Sequence, residues 1–364
     1  MADTSAATGL KVQQWDANFF AESLNGGIFK PFQGTSSNSI IQVNEDLTKK
    51  PGDSITFSLV NKLTGSGVTG SSTLEGQEES LISRSQKVVI DQKRHAVRVP
   101  VLEDQFSAIP LREAAKDVLL DWSMELNRDD TIEALNSILG VNYSSATETN
   151  KDIWLVDNVD RVLFGKLKGN DSGPGDHSAG LGNLDNTDDK LTPDALSLMK
   201  RLAKTASPKI RPLKPRQGFV TSDSYVLFAP SLLIRDIALN STFTQANREA
   251  RARGKLNPLF AGANYIWDNI AIYEVEDIAI DAGAGAGSID VAPCFLCGAQ
   301  AIGFAVAKRP QSVEEEFDYK DKQGVAIRQW FKIEKMSFGS GSGDTDDQKD
   351  HGIVTGWFAA VADA

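Results

Sequence analysis

A run of about thirty residues, 110–139, constrains this chain more than any other stretch. Its apolar residues recur at spacings of three and four, the period of a helix with one buried face. Pro110 suits the first turn of such a helix, and Gly140 follows its end as a stop signal. At ~1.5 Å per residue the helix would be about 45 Å long, which is long for a small domain. The apolar positions of the predicted stripe are Leu111, Ala115, Val118, Trp122, Leu126, Ile132, Leu135 and Leu139.

Two segments of alternating polarity precede this helix and predict a long β-hairpin. Residues 54–59 alternate polar and apolar, and residues 87–90 lead into a β-rich return at 96–99. Connections as long as the one between them are usually functional or mobile in compact domains. Because a two-stranded ribbon is marginal alone, we expect it to lie on another surface, such as a neighbouring subunit. The connection contains Gly65, Gly67, Gly70, Glu75, Glu78 and Glu79.

The remainder of the chain mixes helices and strands without strict alternation, which predicts the α+β class. Thr192 and Pro193 begin a helix as cap and first-turn residue, and further helices are predicted at 230–239 and 246–253. Residues 165–192 are rich in Gly, Asp and Asn and predict an exposed loop. Strands are predicted at 219–221, 225–228, 266–274, 300–307 and 325–338.

Residues 1–45 predict an arm, because aromatic side chains are scattered through them without a regular period. Such side chains need a surface against which to be buried. The arm either folds onto its own domain or clasps a neighbouring subunit, and the sequence does not decide between the two. Its aromatic residues are Trp15, Phe19, Phe20, Phe29 and Phe32.

Composition excludes several classes of protein. The 364 residues include 49 acidic and 38 basic ones, a net charge of −11, whereas a protein that coats nucleic acid is basic. Two cysteines are too few for a disulfide scaffold. The first residues predict no secretory signal, and the longest weakly polar stretch, 292–307, is shorter than the ~20 residues of a membrane span. We expect a soluble protein on the cytosolic side, without a membrane partner.

Motifs that carry chemistry are sparse. Cys294 and Cys297 have redox or zinc spacing, but Phe and Leu lie between them and no second cysteine pair follows. Two buried small hydrophobic residues are the favoured interpretation, with a redox pair and a metal site as alternatives. We predict that His95 is a surface residue of a strand. We therefore predict no catalytic, cofactor-binding or metal-binding residue, which lowers the expectation of an enzyme without excluding one.

Three charged segments have simple interpretations. Solvated loops are predicted at the acidic run 314–316 and at the pair Asp346 and Asp347. A calcium loop is not predicted at 185–189, because this segment lacks the Gly and Glu that such a loop requires. One basic cluster predicts a solvated helix face or, as the alternative, a contact with a subunit or with DNA. That cluster is Arg248, Arg251, Arg253 and Lys255.

The order of arm, long hairpin, long helix and α+β body resembles the tailed-phage major capsid fold, the HK-ninety-seven-like fold. Several stretches resemble a phage capsid family related to the major capsid proteins of N-four-like phages. Their order and spacing carry the resemblance, from about residue 15 to about 340, and the cysteine pair departs from it. The stretches are 39–42, 46–56, Leu-Glu-Gly-Gln-Glu-Glu at 74–79, 89–98, Asn-Pro-Leu-Phe-Ala-Gly at 257–262 and Leu-Cys-Gly-Ala-Gln-Ala at 296–301.

The resemblance implies a division of the chain into parts. Residues 1–45 would be the N-terminal arm, 46–100 the E-loop hairpin, and 101–190 the peripheral domain with its spine helix at about 110–139. Residues 191–300 would be mainly the axial domain. Residues 301–364 would return to the peripheral sheet and form a C-terminal tail.

The resemblance also implies a function, self-assembly into the icosahedral head shell around double-stranded DNA. The implied partners are the chain itself in pentamers and hexamers, a separate scaffolding protein, a portal and a decoration protein. The DNA would be enclosed without sequence-specific binding, the virion assembled in the host bacterial cytoplasm, and no cofactor needed. A nanocompartment shell of the same fold and a soluble thiol-redox enzyme using Cys294 and Cys297 are the alternatives. Predicted inter-subunit contacts are Trp15, Phe19, Phe20, Gly65, Gly67, Gly70, Glu75, Glu78, Glu79, Arg84, Arg251 and Arg253.

Overall fold

The computed structural model describes residues 27–48, 52–63, 65–71, 73–107, 111–171, 175–214, 223–251 and 265–361. Several predicted features lie outside these described residues: the arm aromatics Trp15, Phe19 and Phe20, the strand at 219–221, and Arg253.

The helices of the described residues are α1 (Val101–Phe106), α2 (Leu111–Asn136), α3 (Glu148–Asp157), α4 (His177–Gly182), α5 (Pro193–Thr205), α6 (Ser231–Leu239) and α7 (Ser241–Arg251). The strands are β1 (Gln33–Gly34), β2 (Ile41–Asn44), β3 (Ser54–Val60), β4 (Ser83–Val89), β5 (Asp91–Pro100), β6 (Val162–Phe164), β7 (Tyr225–Ala229), β8 (Tyr265–Trp267), β9 (Ile270–Glu274), β10 (Val291–Cys297), β11 (Ile302–Phe317), β12 (Lys322–Lys335), β13 (Ser337–Gly339), β14 (Gln348–Asp350) and β15 (Ile353–Ala359).

A five-stranded sheet in the order β1-β2-β11-β12-β5 supports the long helix α2. Its centre is the antiparallel pair of β11 and β12, and β5 pairs with β12 along its whole length. Leu119 of α2 is fully buried against Val325 and Ile327 of β12. The helix therefore lies across the sheet as a brace.

A second sheet of six strands, in the order β6-β15-β10-β7-β9-β8, forms the deepest part of the core. Its strands β15, β10 and β7 are buried at every position, which is why they are apolar, apart from Thr355, rather than alternating. Helices α5 and α6 cover one face, with Met199 and Leu233 fully buried. The other face packs on Phe29 and Phe32, which contact Phe228 edge to face at ring-centroid distances of 5.2 Å.

The long helix is confirmed, but its buried face differs from the predicted stripe. Ala115, Ile132 and Leu135 of the stripe are buried, but Val118 is 60% exposed and Trp122 only half-buried. Between these residues the buried positions are Leu119 and Ser123, one position further along, because β12 meets the helix at Leu119. The predicted stop signal is wrong, because the helix ends at Asn136 and Gly140, with a φ of +76°, lies in the turn between the bridged residues Ile138 and Val141.

The predicted hairpin is shorter than expected. Strands β3 and β4 pair from Ser54↔Val89 to Val60↔Ser83. The chain leaves the ribbon at Ile90, and β5 joins the five-stranded sheet instead of continuing the hairpin to residue 99. The predicted return is therefore two strands in two sheets: β4 pairs with β3 in the hairpin, and β5 pairs with β12 in the five-stranded sheet.

Three other predictions need correction. The predicted strand 266–274 is a tight hairpin of β8 and β9, which turns at Asp268 and Asn269 with φ of 45° and 62°. The acidic run 314–316 lies within β11, not in a solvated loop. The connection 165–192 is not simply an exposed loop, because it contains α4 and buries His177, Leu181 and Leu184.

Candidate assembly surfaces

The tip of the β3–β4 hairpin carries an unusual amount of exposed apolar surface. Leu63 is 53% exposed, Leu74 60% and Leu81 65%. Val60, the last residue of β3, and Ile82, the residue before β4, are at least half exposed as well. Clusters of exposed apolar side chains on soluble proteins mark surfaces that bind another chain. This tip is therefore a candidate contact with a second subunit.

The base of the hairpin is fixed to the rest of the chain. Ile55, Phe57 and Val88 form a small core with Met336 and Phe338. The carboxamide of Gln86 donates to the carbonyl oxygen of Lys335 at 3.0 Å and accepts from the backbone N–H of Ser337 at 2.8 Å. The base is held by packing and by paired hydrogen bonds, so the tip projects from a defined point.

Arg84 and Ser85 attach the hairpin to the loop between β13 and β14. The Arg84 guanidinium donates to the carbonyl oxygens of Gly341 and Ser342 of the same chain. The Ser85 hydroxyl donates to Asp344 at 2.7 Å, and this bond, with that of the Ser85 N–H, lowers the pKa of Asp344. Arg84 thus has partners within its own chain, and its contact with another subunit stays a prediction.

The three predicted acidic contacts, Glu75, Glu78 and Glu79, are exposed on the tip. Two of them also brace the loop from within. Glu79 accepts from the N–H of Gly65 at 2.7 Å, and Glu78 accepts from the N–H of Gly76 at 2.8 Å.

Among the predicted contact glycines, Gly67 and Gly70 have φ of 70° and 72°, a region that other residues rarely adopt. Of the predicted basic contacts, Arg251 ends helix α7. Contacts of these residues with other subunits stay predictions.

Glu314 holds α2 to the sheet, a role that the sequence did not indicate. It accepts from Arg112 and lies 3.3 Å from the Lys116 ammonium, one helical turn further along. Near the other end of α2, Asp130 forms an ion pair of 2.5 Å with Lys93, while burial raises the pKa of Asp130. The spacing of Arg112 and Lys116 was the available signal, but it points to no particular carboxylate. These ion pairs fix the position of the brace on the sheet.

The two cysteines are fully buried and unpaired in β10, as predicted for small hydrophobic residues. They belong to cores on opposite faces of the six-stranded sheet, Cys294 with Met199 and Cys297 with Phe295 and Ile302. Burial raises the pKa of both thiols, so both are protonated at neutral pH. A strand that directs them to opposite faces does not form a redox pair.

The histidines serve packing. His95 is exposed on β5 with its ring 5.1 Å from that of Trp122, as predicted for a surface strand residue. His177 is buried among aromatic rings, including those of Phe164 and Trp357.

In the described part of the chain, one group of three carboxylates has oxygen atoms within 4.8 Å of one another, those of Glu148, Asp152 and Asp176. Asp176 caps α4 at the Ala179 N–H, and Asp152 accepts from the His177 N–H. Two of the three carboxylates therefore have a structural role at the start of α4.

Among the described residues, no helix combines the length and apolar character that crossing a membrane requires.

Solved structures share this architecture over the whole chain. The capsid of cyanophage Pam1 is 31% identical, with a TM-score of 0.80 and full coverage of both chains. The capsid of Ralstonia phage GP4 is 23% identical, with a TM-score of 0.75 and coverage of 93% and 92%. The fold is therefore the α+β fold of tailed-phage capsids, the HK-ninety-seven-like fold.

Sequence comparison agrees with the fold. The major capsid protein of Pseudomonas phage KPP25 is 28% identical over 367 residues, which cover 95% of this chain and 94% of the relative. Residues 3–361 match the model of the phage capsid protein family, and the chain belongs to that family. The predicted fold and the predicted function of a phage major capsid protein are confirmed, and neither alternative is favoured.

Proposed function

We propose that this protein assembles as pentamers and hexamers into the icosahedral head shell that encloses a tailed phage's double-stranded DNA. The observation that carries the proposal is the hairpin, which is anchored at its base and exposes apolar side chains at its tip. A subunit that places this tip on a neighbour buries the apolar side chains that are exposed in the isolated subunit. Since many identical contacts close one shell, each contact can be weak.

The parts of the fold support an assignment of domains. Residues 46–100 would be the E-loop, and 101–190 the peripheral domain with α2 as its spine. Residues 191–300 would be mainly the axial domain, and 301–364 would return to the peripheral sheet. The six-stranded sheet draws β6 and β15 from outside 191–300, so the axial domain would share its core with its neighbours in the chain.

Partners beyond the chain itself follow from the same function. A separate scaffolding protein, a portal and a decoration protein would act during assembly in the host bacterial cytoplasm, and the product would be the virion. The role would be structural rather than enzymatic. The net charge of −11 would keep packaged DNA from adhering to the wall. Added DNA that co-sediments with empty shells at physiological salt would contradict this role of the charge.

Negative-stain electron microscopy of the purified protein, expressed with and without its scaffolding protein, tests the proposal. Closed shells tens of nanometres across are the expected result. Replacing Leu74 and Leu81 with Ser should lower the yield of shells and leave the unfolding temperature of the free subunit unchanged, because both side chains are exposed. Small particles alone in both samples would contradict the proposal.

A further inference from the structure

A cleft of about 240 Å³ opens between the five-stranded sheet and α2. We call it the brace groove. Its floor is apolar and is formed by Val43, Phe304, Val306 and Phe331. An apolar cavity of about 150 Å³ holds a benzene molecule. The brace groove therefore has room for one aromatic side chain together with part of its backbone.

Two buried atoms of side-chain amides in this cleft lack hydrogen-bond partners among the described residues. They are the Asn127 Oδ1 atom, on α2, and the Gln329 Nε2 atom, on β12. Gln329 is only 1% exposed, so water does not satisfy its amide in the way it satisfies a surface residue. A buried polar atom without a partner costs free energy, and such atoms are rare in native proteins. Asn127 Oδ1 is an acceptor and Gln329 Nε2 is a donor. A peptide backbone has an N–H that could donate to the first and a carbonyl oxygen that could accept from the second.

The brace groove continues to the point where the described chain begins. A smaller adjoining cleft shares Gln33, Asn127 and Phe304 with it and is also lined by Gly27 and Ile28. Gly27 therefore lies beside this cleft. The sequence that precedes Gly27 contains Trp15, Phe19 and Phe20.

We infer that residues 15–20 dock in the brace groove of their own chain. An aromatic side chain fills the apolar floor, and the backbone of the segment satisfies Asn127 and Gln329. Phe20 precedes Gly27 by seven residues, and an extended chain covers ~3.3–3.6 Å per residue, or about 25 Å. The connection is thus long enough for the segment to pass the adjoining cleft, which Gly27 lines, and to reach the brace groove. The inference concerns contacts within one subunit and does not depend on the proposed assembly.

Photocrosslinking tests the inference. Phe19 and, separately, Phe20 are replaced by p-benzoylphenylalanine in the full-length chain, and the variant is mixed before assembly with chains labelled with a heavy isotope. After irradiation, mass spectrometry identifies the captured peptides. We expect adducts on the peptides that contain Phe304 or Phe331, each within a chain of one isotope composition. The same probe at Leu74, on the hairpin tip, is the control and should not label these peptides.

The outcomes are distinct. Adducts that join chains of different isotope composition would show a neighbour's segment in the groove and would overturn the inference. Adducts outside the groove, or none, would overturn it as well. Normal shells without the expected adduct would refute the docking while leaving the proposed function in place.

A second variant checks the role of the buried amide. Gln329→Leu retains most of the side-chain volume but removes the donor, and it should lower the photocrosslinking yield about fivefold, the effect of one hydrogen bond. Gln323→Leu, on the same strand away from the groove, should leave the yield unchanged. Equal yields from the two variants would contradict the role of Gln329.

Discussion

Gln86 accepts a hydrogen bond of 2.8 Å from the backbone N–H of Ser337, 251 residues further along the chain. The same carboxamide donates to the carbonyl oxygen of Lys335, which lies on the other side of Met336. A side-chain amide thereby pairs with the main chain as a neighbouring strand would. This pairing holds the base of the hairpin at the point where β12 ends and β13 begins.

Removing the carboxamide of Gln86 should loosen the hairpin. Gln86→Met keeps a side chain of similar length but leaves a backbone donor and an acceptor without partners, so the free energy of unfolding should fall by about 1–3 kcal/mol. Amide exchange in β3 and β4 should accelerate. Gln92→Met, at an exposed position of β5, should change stability by less than about 0.5 kcal/mol. Equal stability of the two variants by denaturant unfolding would contradict the assigned role.

Leu119, rather than Trp122, should be the main anchor of α2. Leu119 is fully buried, so Leu119→Ala should lower the free energy of unfolding by about 2–5 kcal/mol. Val118→Ala, one position earlier and 60% exposed, should cost less than about 0.5 kcal/mol. Denaturant unfolding of the free subunit measures both, and similar losses for the two variants would contradict the described helix face.

The ion pair between Lys335 and Asp350 is almost completely buried, with side chains 4% and 3% exposed and an N–O distance of 2.8 Å. Lys335→Met leaves the Asp350 carboxylate buried with only the Trp154 indole N–H described as a side-chain donor, and it should cost about 3–5 kcal/mol. The double variant Lys335→Met with Asp350→Leu should recover much of that loss, because no unpaired charge remains. A double variant as unstable as the single one would contradict this explanation.

Two buried histidines should make the subunit less stable in mild acid. Burial, with a nearby Lys151 for His177 and Arg161 and Arg211 for His351, lowers each pKa to about 4, below the unfolded value of about 6.5. Between these values the unfolded chain binds more protons, so the stabilisation is complete above about pH 6.5 and is lost as the pH falls towards 4. Each histidine contributes up to about 3 kcal/mol to this loss.

Unfolding of the wild type and of His177→Phe between pH 7 and pH 4.5 measures the effect. The variant should show a shallower dependence on pH. His95→Phe, at an exposed position of β5, is the control and should follow the wild type. Parallel curves for all three proteins would contradict the assignment of the pH dependence to His177.

Reversing the charge of the hairpin tip should impair assembly. If the acidic tip meets basic residues of a neighbour, then Glu78→Lys with Glu79→Lys should lower shell yield and change its sensitivity to salt. Glu78→Gln with Glu79→Gln keeps oxygen acceptors for the N–H groups of Gly76 and Gly65, and so separates loss of charge from loss of the loop's internal bonds. Unchanged yield and salt sensitivity in the lysine variant would contradict the predicted contact.

Local pattern predicted the elements of this fold better than their partners. The cap of α5 was read from Thr192 and Pro193, and the side chain of Thr192 does accept from the Ala195 N–H. Such a signal needs only a few adjacent residues. The register of β11 was harder, because Glu314 looks like a loop residue until Arg112 and Lys116 are placed opposite it.

For the candidate assembly surface, too, local features were predicted from the sequence and contacts with distant residues were not. Its glycines and acids were visible in the sequence because a long polar connection between two strands has a distinct composition. Gln86 and Ser85 were not, since their partners near Ser337 and at Asp344 lie about 250 residues away. The identity of a single polar residue in a strand does not indicate which distant residue it will contact.

The sequence by itself determined the period of the long helix, the existence of the hairpin, the burial of Cys294 and Cys297 and the family resemblance. These follow from short-range spacing and composition, which act before the chain has folded. Only the tertiary structure decided which face of α2 is buried, where the ribbon ends at Ile90, and that the cysteines occupy opposite faces of one sheet. Those outcomes depend on which distant strand packs against each element. The packing that forms is the one that minimises the free energy of the whole core rather than of any one segment.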